Sequence, residues 1–242
     1  MAEFLFEDMT GGWTDMYGGG LFWKKGETYK NSIANNLFTL LALRLNAHVP
    51  EKRIVDQTYL EWAEKTWKWY LKTGMLNTKH WIIEDGLQQN GKPNRNQHWT
   101  YNQGVAIAVL VEWYQITGDK KTLDVAQKIA DSVMLRMTDK NGILKEINEP
   151  HTGADGYQFK GVFTRHLYSL YEVTRRDDYR RFLMKNNDAI WSNRCSETGG
   201  FGVVWGGEGT TFNAATQSCA LDTLVSLMGI EKLDFSLNVR KE

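Results

Sequence analysis

The connections between the helical segments of this chain alternate in length, and this alternation limits the available folds more than any other feature. Short turns, Thr117-Gly118-Asp119 and Arg175-Arg176-Asp177, follow the third and fifth segments. Long loops that contain Gly and often Trp precede the first, third, fifth and seventh. The sequence therefore predicts helical hairpins with a period of about 55–70 residues. Apolar side chains at three- and four-residue steps predict helices at about residues 29–47, 55–71, 100–116, 121–137, 158–173, 177–193 and 213–228.

The odd-numbered and even-numbered helices differ in composition. The odd ones are rich in small residues and apolar on more than one face, whereas the even ones carry a single apolar stripe. This contrast predicts an inner layer of odd helices that is buried on both sides and an outer layer of even helices. We expect an all-α fold in a single domain over residues 1–242, in which the first turns of the inner helices face a shared cleft.

The charge balance limits the classes of partner. Lys plus Arg and Asp plus Glu each total 29, so the net charge is near zero and no basic patch favours nucleic acid. No basic amphipathic run indicates a membrane surface, and no apolar run approaches the roughly 18 residues that span a bilayer. The first residues lack the basic start and long apolar centre of a signal peptide, so the sequence leaves the location open.

The cysteines and histidines give no sign of a metal site or an organic cofactor, and we expect neither. Cys195 and Cys219 are too few for a disulfide scaffold; they either pair or remain two thiols, and the unpaired state is favoured. The five histidines are not at metal-ligand spacing, and we expect them at the surface or at helix ends.

Two sequence features suit a ligand rich in hydroxyl groups. The ten tryptophans offer flat faces on which sugar rings can stack, although many will belong to the core. Asp85 lies in a long loop before the third helix, either as a turn-forming Asp-Gly or as a carboxylate that accepts sugar hydroxyls. Tyr101, Asn102 and Gln103 open that helix with both donors and acceptors, although Thr100 or Asn102 could instead cap it.

Four motifs resemble the signatures of the family 76 glycoside hydrolases, the α-1,6-mannanases. They are Gly-Gly-Gly-Leu-Phe-Trp at 18–23, Tyr-Lys-Asn-Ser-Ile-Ala-Asn at 29–35, Trp-Thr-Tyr-Asn-Gln-Gly at 99–104 and Phe-Lys-Gly-Val-Phe-Thr-Arg at 159–165. The resemblance implies an (α/α)6 toroid, of which this chain would supply about seven of twelve helices, with a sugar cleft at one end. It also implies retaining hydrolysis of α-1,6-linked mannan by two carboxylates.

One departure from the family pattern bears on catalysis. The resemblance places the catalytic Asp-Asp pair upstream of the Gly-Gly-Gly-Leu-Phe-Trp segment, where this chain has none. Its Asp-Asp, Asp177-Asp178, begins an outer helix, where acidic side chains complement the helix dipole. The catalytic residues are therefore unassigned.

Together, the loops and the resemblance give a set of candidate substrate-binding residues. Lys160 and Arg165 could alternatively be held in ion pairs inside the wall. The full set is Trp23, Asn31, Asn35, Asp85, Tyr101, Asn102, Gln103, Phe159, Lys160 and Arg165.

Two functions follow, both with a mannan-type polysaccharide as partner. The first is a glycoside hydrolase that acts on α-1,6-linked mannan, and the second is a non-catalytic carbohydrate-binding or scaffold protein. The motifs favour a hydrolase as the ancestral function of the family. The missing Asp-Asp pair favours a non-catalytic binding protein for this polypeptide. A different helical-toroid enzyme, such as an epimerase or unsaturated-uronyl hydrolase, fits the neutral chain less well. The resemblance implies an extracellular or cell-wall location if a signal peptide precedes this segment.

Overall fold

A computed structural model describes residues 1–95, 97–207 and 211–239 of the chain. The chain forms two compact units, Met1–Ile129 and Ala130–Glu242, and the single domain stays a prediction. Part of the Gly-rich stretch before the last predicted helix, at 208–210, lies outside the described residues.

Helices dominate the described residues, as predicted. Two short antiparallel ribbons accompany them, β1 (Arg53–Ile54) with β2 (Gln57–Thr58) and β3 (Leu76–Asn77) with β4 (Ile82–Ile83). The helices are α1 (Ala2–Thr10), α2 (Ser32–Asn46), α3 (Tyr59–Thr73), α4 (Thr100–Thr117), α5 (Lys120–Arg136), α6 (Gly153–Gly156), α7 (Phe159–Thr174), α8 (Asp177–Ser192) and α9 (Ala214–Val239). The seven predicted helices are α2 to α5 and α7 to α9; α1 and the single turn α6 were not predicted.

The predicted start of the second helix, at about Val55, is wrong. Val55 and Asp56 have φ angles of 48° and 60° and form the turn between β1 and β2. The helix begins at Tyr59 instead, because the Thr58 side chain accepts from the Glu61 amide while the Glu61 side chain accepts from the Thr58 amide.

Predicted inner helices pack against one another within each unit, but the predicted burial on both sides is wrong for α9, one face of which is exposed. In the first unit, α2 packs against both α3 and α4, and α4 is buried without interruption from Asn102 to Val111. In the second unit, α7 packs against α8 and α9. A Cβ atom at Gly161 would lie 2.7 Å from the carbonyl oxygen of Cys219, so α7 and α9 approach closely only because this residue is glycine.

Aromatic side chains form the core of the first unit. Phe6 of α1 is fully buried and stacks on Phe38 with ring centroids 4.6 Å apart. Tyr59 meets Phe6 edge-on at 5.0 Å. These contacts stabilise α1, because a helix of nine residues is marginal in isolation.

One face of α9 remains apolar and exposed. Leu221, Val225 and Met228 follow one another at helical spacing and are 53%, 60% and 69% exposed. Such a stripe is the feature expected when an inner helix lacks a neighbour on one side. Within the described residues, no helix is both long and apolar enough to cross a membrane.

Candidate functional site

Asp85 lies at the centre of a polar cluster in the first unit. The β3–β4 ribbon leads into the loop that carries it, and the residue is 8% exposed. The Tyr29 hydroxyl donates to Oδ2 at 2.5 Å, and Nδ2 of Asn102 donates to Oδ1 at 3.0 Å. A carboxylate has about four acceptor positions, so two donors orient the group and leave acceptor capacity for a ligand.

The beginnings of α2 and α4 meet on the Asp85 loop. The Ser32 amide of α2 donates to the Asp85 carbonyl at 2.7 Å, and the Asn102 side chain of α4 reaches the Asp85 carboxylate. The Asp85 amide donates in turn to the carbonyl of Gln97, just before α4, at 3.1 Å. Within this unit, the first turns of α2 and α4 therefore converge, and a ligand cleft lined by the inner helices stays a prediction.

Tyr29 and Asn94 also belong to the cluster, and neither was predicted from the sequence as a site residue. Burial, followed by the hydrogen bond to Asp85, raises the pKa of the Tyr29 phenol above its usual range, so it donates as a neutral group. Asn94 donates from Nδ2 to the Tyr29 hydroxyl at 3.1 Å and accepts from the Gly86 amide at 2.9 Å. Tyr29 does open one of the recognised motifs, which was the available signal.

The adjacent acidic residue, Glu84, has a separate and complete set of partners. Its side chain is fully buried and accepts from Arg95 at 3.0 Å and from His98 at 2.8 Å. Asn77 donates to it at 2.9 Å. Burial raises the pKa of this carboxyl, but the hydrogen bonds from His98, Asn77 and Arg95 outweigh burial and hold it below its usual value. Glu84 is thus a buried ion-pair residue, and His98 binds it rather than taking a simple surface or capping position.

Three of the predicted site residues use their amides on the backbone. Asn31 caps α2 by accepting from the Ala34 amide at 3.2 Å. Asn35 brackets Leu21, accepting from its amide at 2.8 Å and donating to its carbonyl at 3.0 Å. Gln103 brackets Ile83 in the same way at 2.7 and 2.8 Å. These side chains position the loops, and their contact with a ligand stays a prediction.

Three further predicted residues differ in exposure: Trp23 is exposed, Tyr101 is half-buried and Asn102 is fully buried. Trp23 is 51% exposed, and its amide donates to the Tyr29 carbonyl at 2.8 Å. An open pocket beside Trp23, with an empty volume of about 610 Å³, lies between α1 and α2. Tyr101 is half-buried in the first turn of α4, and the buried Oδ1 of Asn102 has no hydrogen-bond partner.

In the second unit, both basic candidates are held in ion pairs, which was the alternative left open by the sequence. Lys160 is 2% exposed and pairs with Glu149, while its Nζ donates to the Val203 carbonyl at 2.6 Å. Arg165 pairs with Asp222 at 3.0 Å. Phe159 is half-buried at the start of α7.

The Asp177-Asp178 pair occupies the first turn of α8, as predicted. Asp178 pairs with Arg176 at 2.5 Å, and Asp177 pairs with Arg181 one turn along the helix. The Arg176 guanidinium lowers the pKa of the Asp178 carboxyl. The two aspartates therefore complement the dipole at the start of α8 and form ion pairs with neighbouring arginines.

In the part of the chain that the structure describes, no three His, Cys, Asp or Glu side chains are grouped to hold a metal ion. Cys195 and Cys219 are unpaired, in agreement with the favoured expectation. Burial raises the pKa of the Cys219 thiol to about 12.

A comparison with known protein families decides the lineage. Residues 1–235 match the sequence model of glycosyl hydrolase family 76. The chain belongs to glycosyl hydrolase family 76. The match spans all four motifs that carried the resemblance, and the family 76 assignment is therefore confirmed.

Solved family 76 structures share the fold of this chain. An α-1,6-mannanase of Salegentibacter superimposes with a TM-score of 0.83 at 28% identity, covering 93% of this chain and 67% of that one. An inactive variant of the same mannanase, with two adjacent aspartates replaced and in complex with α-1,6-mannotriose, gives a TM-score of 0.81 at 28% identity over the same shares. The predicted all-α fold of the α/α-toroid class is thereby confirmed.

Fungal mannan endo-1,6-alpha-mannosidases that match this chain are longer than it is. The mannan endo-1,6-alpha-mannosidase of Saccharomyces cerevisiae is 25% identical over 253 residues, which cover 96% of this chain and 54% of the relative. The chain thus spans about half the length of that relative.

Proposed function

We propose that this chain binds α-1,6-linked mannan at the Asp85 cluster and does not hydrolyse it on its own. The observation that carries the proposal is the Asp85 carboxylate, which Tyr29 and Asn102 orient by hydrogen bonds. A neutral sugar presents hydroxyl donors to such acceptors. The exposed ring of Trp23 can take the apolar C–H face of a sugar.

The carboxylates of the chain argue against turnover. A retaining glycosidase needs one carboxylate to attack and a second carboxyl group to donate a proton. The chain contains three adjacent acidic pairs. In the Glu84-Asp85 pair, Glu84 forms ion pairs with Arg95 and His98. In the Asp177-Asp178 pair, both aspartates form ion pairs with arginines.

The remaining pair, Glu7-Asp8, lies on the exposed face of α1, where Asp8 pairs with Lys25. None of the three pairs offers the required combination. The loss of general acid catalysis alone typically lowers a rate by about 10²–10⁴.

Relatives support the substrate class. The yeast relative is named for action on α-1,6-linked mannan, and the inactive Salegentibacter variant is complexed with α-1,6-mannotriose. The latter case shows that a family 76 fold can hold this ligand when its own reaction is blocked. The relatives' hydrolytic activity belongs to longer polypeptides than this one.

Native gel electrophoresis through linear α-1,6-mannan tests binding, and released reducing ends test turnover. We expect the purified chain to migrate more slowly in the mannan gel than in a matched gel containing starch. We also expect no increase in reducing ends. Equal migration in both gels would contradict binding, and robust turnover that disappears in an Asp85→Asn variant would contradict the absence of catalysis.

A further inference from the structure

Lys30 is fully buried immediately before α2 and bonds to the backbone of a neighbouring loop. Its Nζ donates to three carbonyl oxygens, those of Thr14 at 3.1 Å, Met16 at 2.6 Å and Gly19 at 2.5 Å. The same atom lies 5.6 Å from the centre of the Trp69 ring. None of the ion pairs among the described residues involves Lys30.

This placement is unfavourable for a positive charge unless the three carbonyls compensate. Burial disfavours an ammonium group, and the start of a helix adds a positive dipole end. Burial lowers the pKa of Lys30 to about 8, although the nearby Asp15 opposes that shift. An ammonium group has three donors on a single atom, a pattern that no neutral side chain supplies. The geometry of the three carbonyls therefore specifies a lysine.

The main chain of Lys30 is bonded to a second loop. Its carbonyl accepts from the Leu87 amide at 2.9 Å, two residues beyond Asp85. The Tyr29 carbonyl accepts from the Trp23 amide at 2.8 Å. One short segment thus joins the loop that leads to Trp23 with the loop that carries Asp85.

We infer that Lys30 is a positioning residue that fixes the Trp23 loop against the Asp85 loop at the proposed mannan site. The inference rests on the proposed function for the identity of the ligand, but its structural content is independent of the ligand. Lys30 acts through the backbone of both loops.

Lys160 of the second unit has a position similar to that of Lys30 but, unlike Lys30, forms an ion pair among the described residues. It also lies at the beginning of an inner helix, donates to a loop carbonyl and stands over a tryptophan, with 4.4 Å from its Nζ to the Trp205 ring. However, it pairs with the buried Glu149. Replacement of Lys160 would leave a buried carboxylate unpaired, whereas replacement of Lys30 leaves only carbonyl groups, so the chain should tolerate a substitution at Lys30 better.

Hydrogen exchange measured by mass spectrometry tests the inference with Lys30→Met, Lys30→Arg and a control, Lys68→Met. Lys68 is an exposed lysine of α3 that pairs with Glu64. In Lys30→Met, we expect exchange to accelerate about 10-fold or more in both 14–23 and 85–88, because charge-assisted hydrogen bonds are lost. Amides 105–110 of the buried helix α4 should be unchanged in all variants, and Lys68→Met should match the wild type throughout.

Two results would overturn the inference. One is acceleration restricted to 14–23, and the other is equal acceleration in α4, which would indicate general destabilisation. If Lys30→Met does not fold, Lys30→Arg decides. Arginine keeps the charge but cannot place three donors on one atom, so intermediate acceleration is expected in both segments, and wild-type exchange in either one would count against the role of Lys30.

Binding of α-1,6-mannotetraose separates this inference from the proposed function. If the wild type binds, we expect the Kd of Lys30→Met to rise about 10-fold at a temperature where the variant is fully folded. Wild-type affinity in that variant would overturn the positioning role. If the wild type does not bind, the proposed function fails, and the exchange result still decides whether Lys30 couples the two loops.

Discussion

The Tyr29 hydroxyl donates a 2.5 Å hydrogen bond to Oδ2 of Asp85 and accepts one from Asn94 at 3.1 Å. The raised pKa of the phenol keeps its proton available for donation. This contact links the segment before α2 to the loop before α4 and fixes the direction in which the Asp85 carboxylate points. The orientation of the proposed sugar acceptor thus depends on a residue 56 positions away in sequence.

Tyr29→Phe removes this donor and should weaken both binding and stability. We expect a rise of about 5–10-fold in the Kd for α-1,6-mannotetraose and a loss of about 1–3 kcal/mol in the free energy of unfolding. Calorimetric titration and urea denaturation measure the two effects. Tyr114→Phe, at a half-buried tyrosine of α4, should change neither. Unchanged affinity in Tyr29→Phe would show that the phenol does not orient a ligand acceptor.

Gly86→Ala should destabilise the Asp85 loop by overpacking. A Cβ atom at this position would lie 2.4 Å from the Tyr29 hydroxyl and 2.7 Å from the Lys30 carbonyl. We expect a loss of about 1–3 kcal/mol in urea denaturation. Gly207→Ala is the matched control, since its nearest neighbour would be 3.9 Å away. Equal stability of the two variants would mean that the loop relaxes without cost.

Glu84 should make stability depend on acid pH. Its folded-state pKa lies below the ordinary value of 4.5, so the unfolded chain binds the proton more readily. The stabilisation is complete above the ordinary value and is lost as pH falls through the folded value. Glu84→Gln should be about 2–4 kcal/mol less stable at pH 7, because the buried charge partner of Arg95 and His98 is removed. The difference from the wild type should shrink below pH 4 in urea denaturation, and a constant difference would refute this account.

Lys160→Met should be strongly destabilising because it leaves the Glu149 side chain, which is 4% exposed, without its counter-charge. Removal of one partner of a buried pair typically costs about 3–5 kcal/mol. The double variant Lys160→Met/Glu149→Gln should recover much of the loss in chemical denaturation. If the double variant is no more stable than the single one, the pair is not the source of the effect.

The fold was largely predictable because its signals are local. Helix α4 begins with polar residues from Thr100 onward. It ends before Gly118, whose left-handed φ of 70° is common for a glycine at a helix C-terminus. The beginning of α3 was missed because its hairpin turn uses Val55-Asp56 rather than Asn-Gly. Helix α1 was missed because it depends on Phe6 packing against Phe38, a contact absent from local sequence.

The site was less predictable because side-chain direction is a long-range property. Asp85 and Asn102 were predicted and are in contact. Asn35 and Gln103 were expected in the same region, but their amides bind the backbone, and an amide in a sequence does not reveal whether its partner is a ligand or a carbonyl group. Tyr29 was missed because its role depends on a partner 56 residues away.

Calorimetric titration of α-1,6-mannotetraose into the wild type, Asp85→Asn and Asp124→Asn measures whether the Asp85 cluster binds mannan. Asp124 is an exposed residue of α5 and serves as the matched control. We predict saturable binding by the wild type and by Asp124→Asn, and a Kd at least about 10-fold higher for Asp85→Asn, which loses the charged acceptor. The absence of saturable heat in the wild type, or equal affinity in Asp85→Asn, would contradict the assignment of a mannan site to the Asp85 cluster.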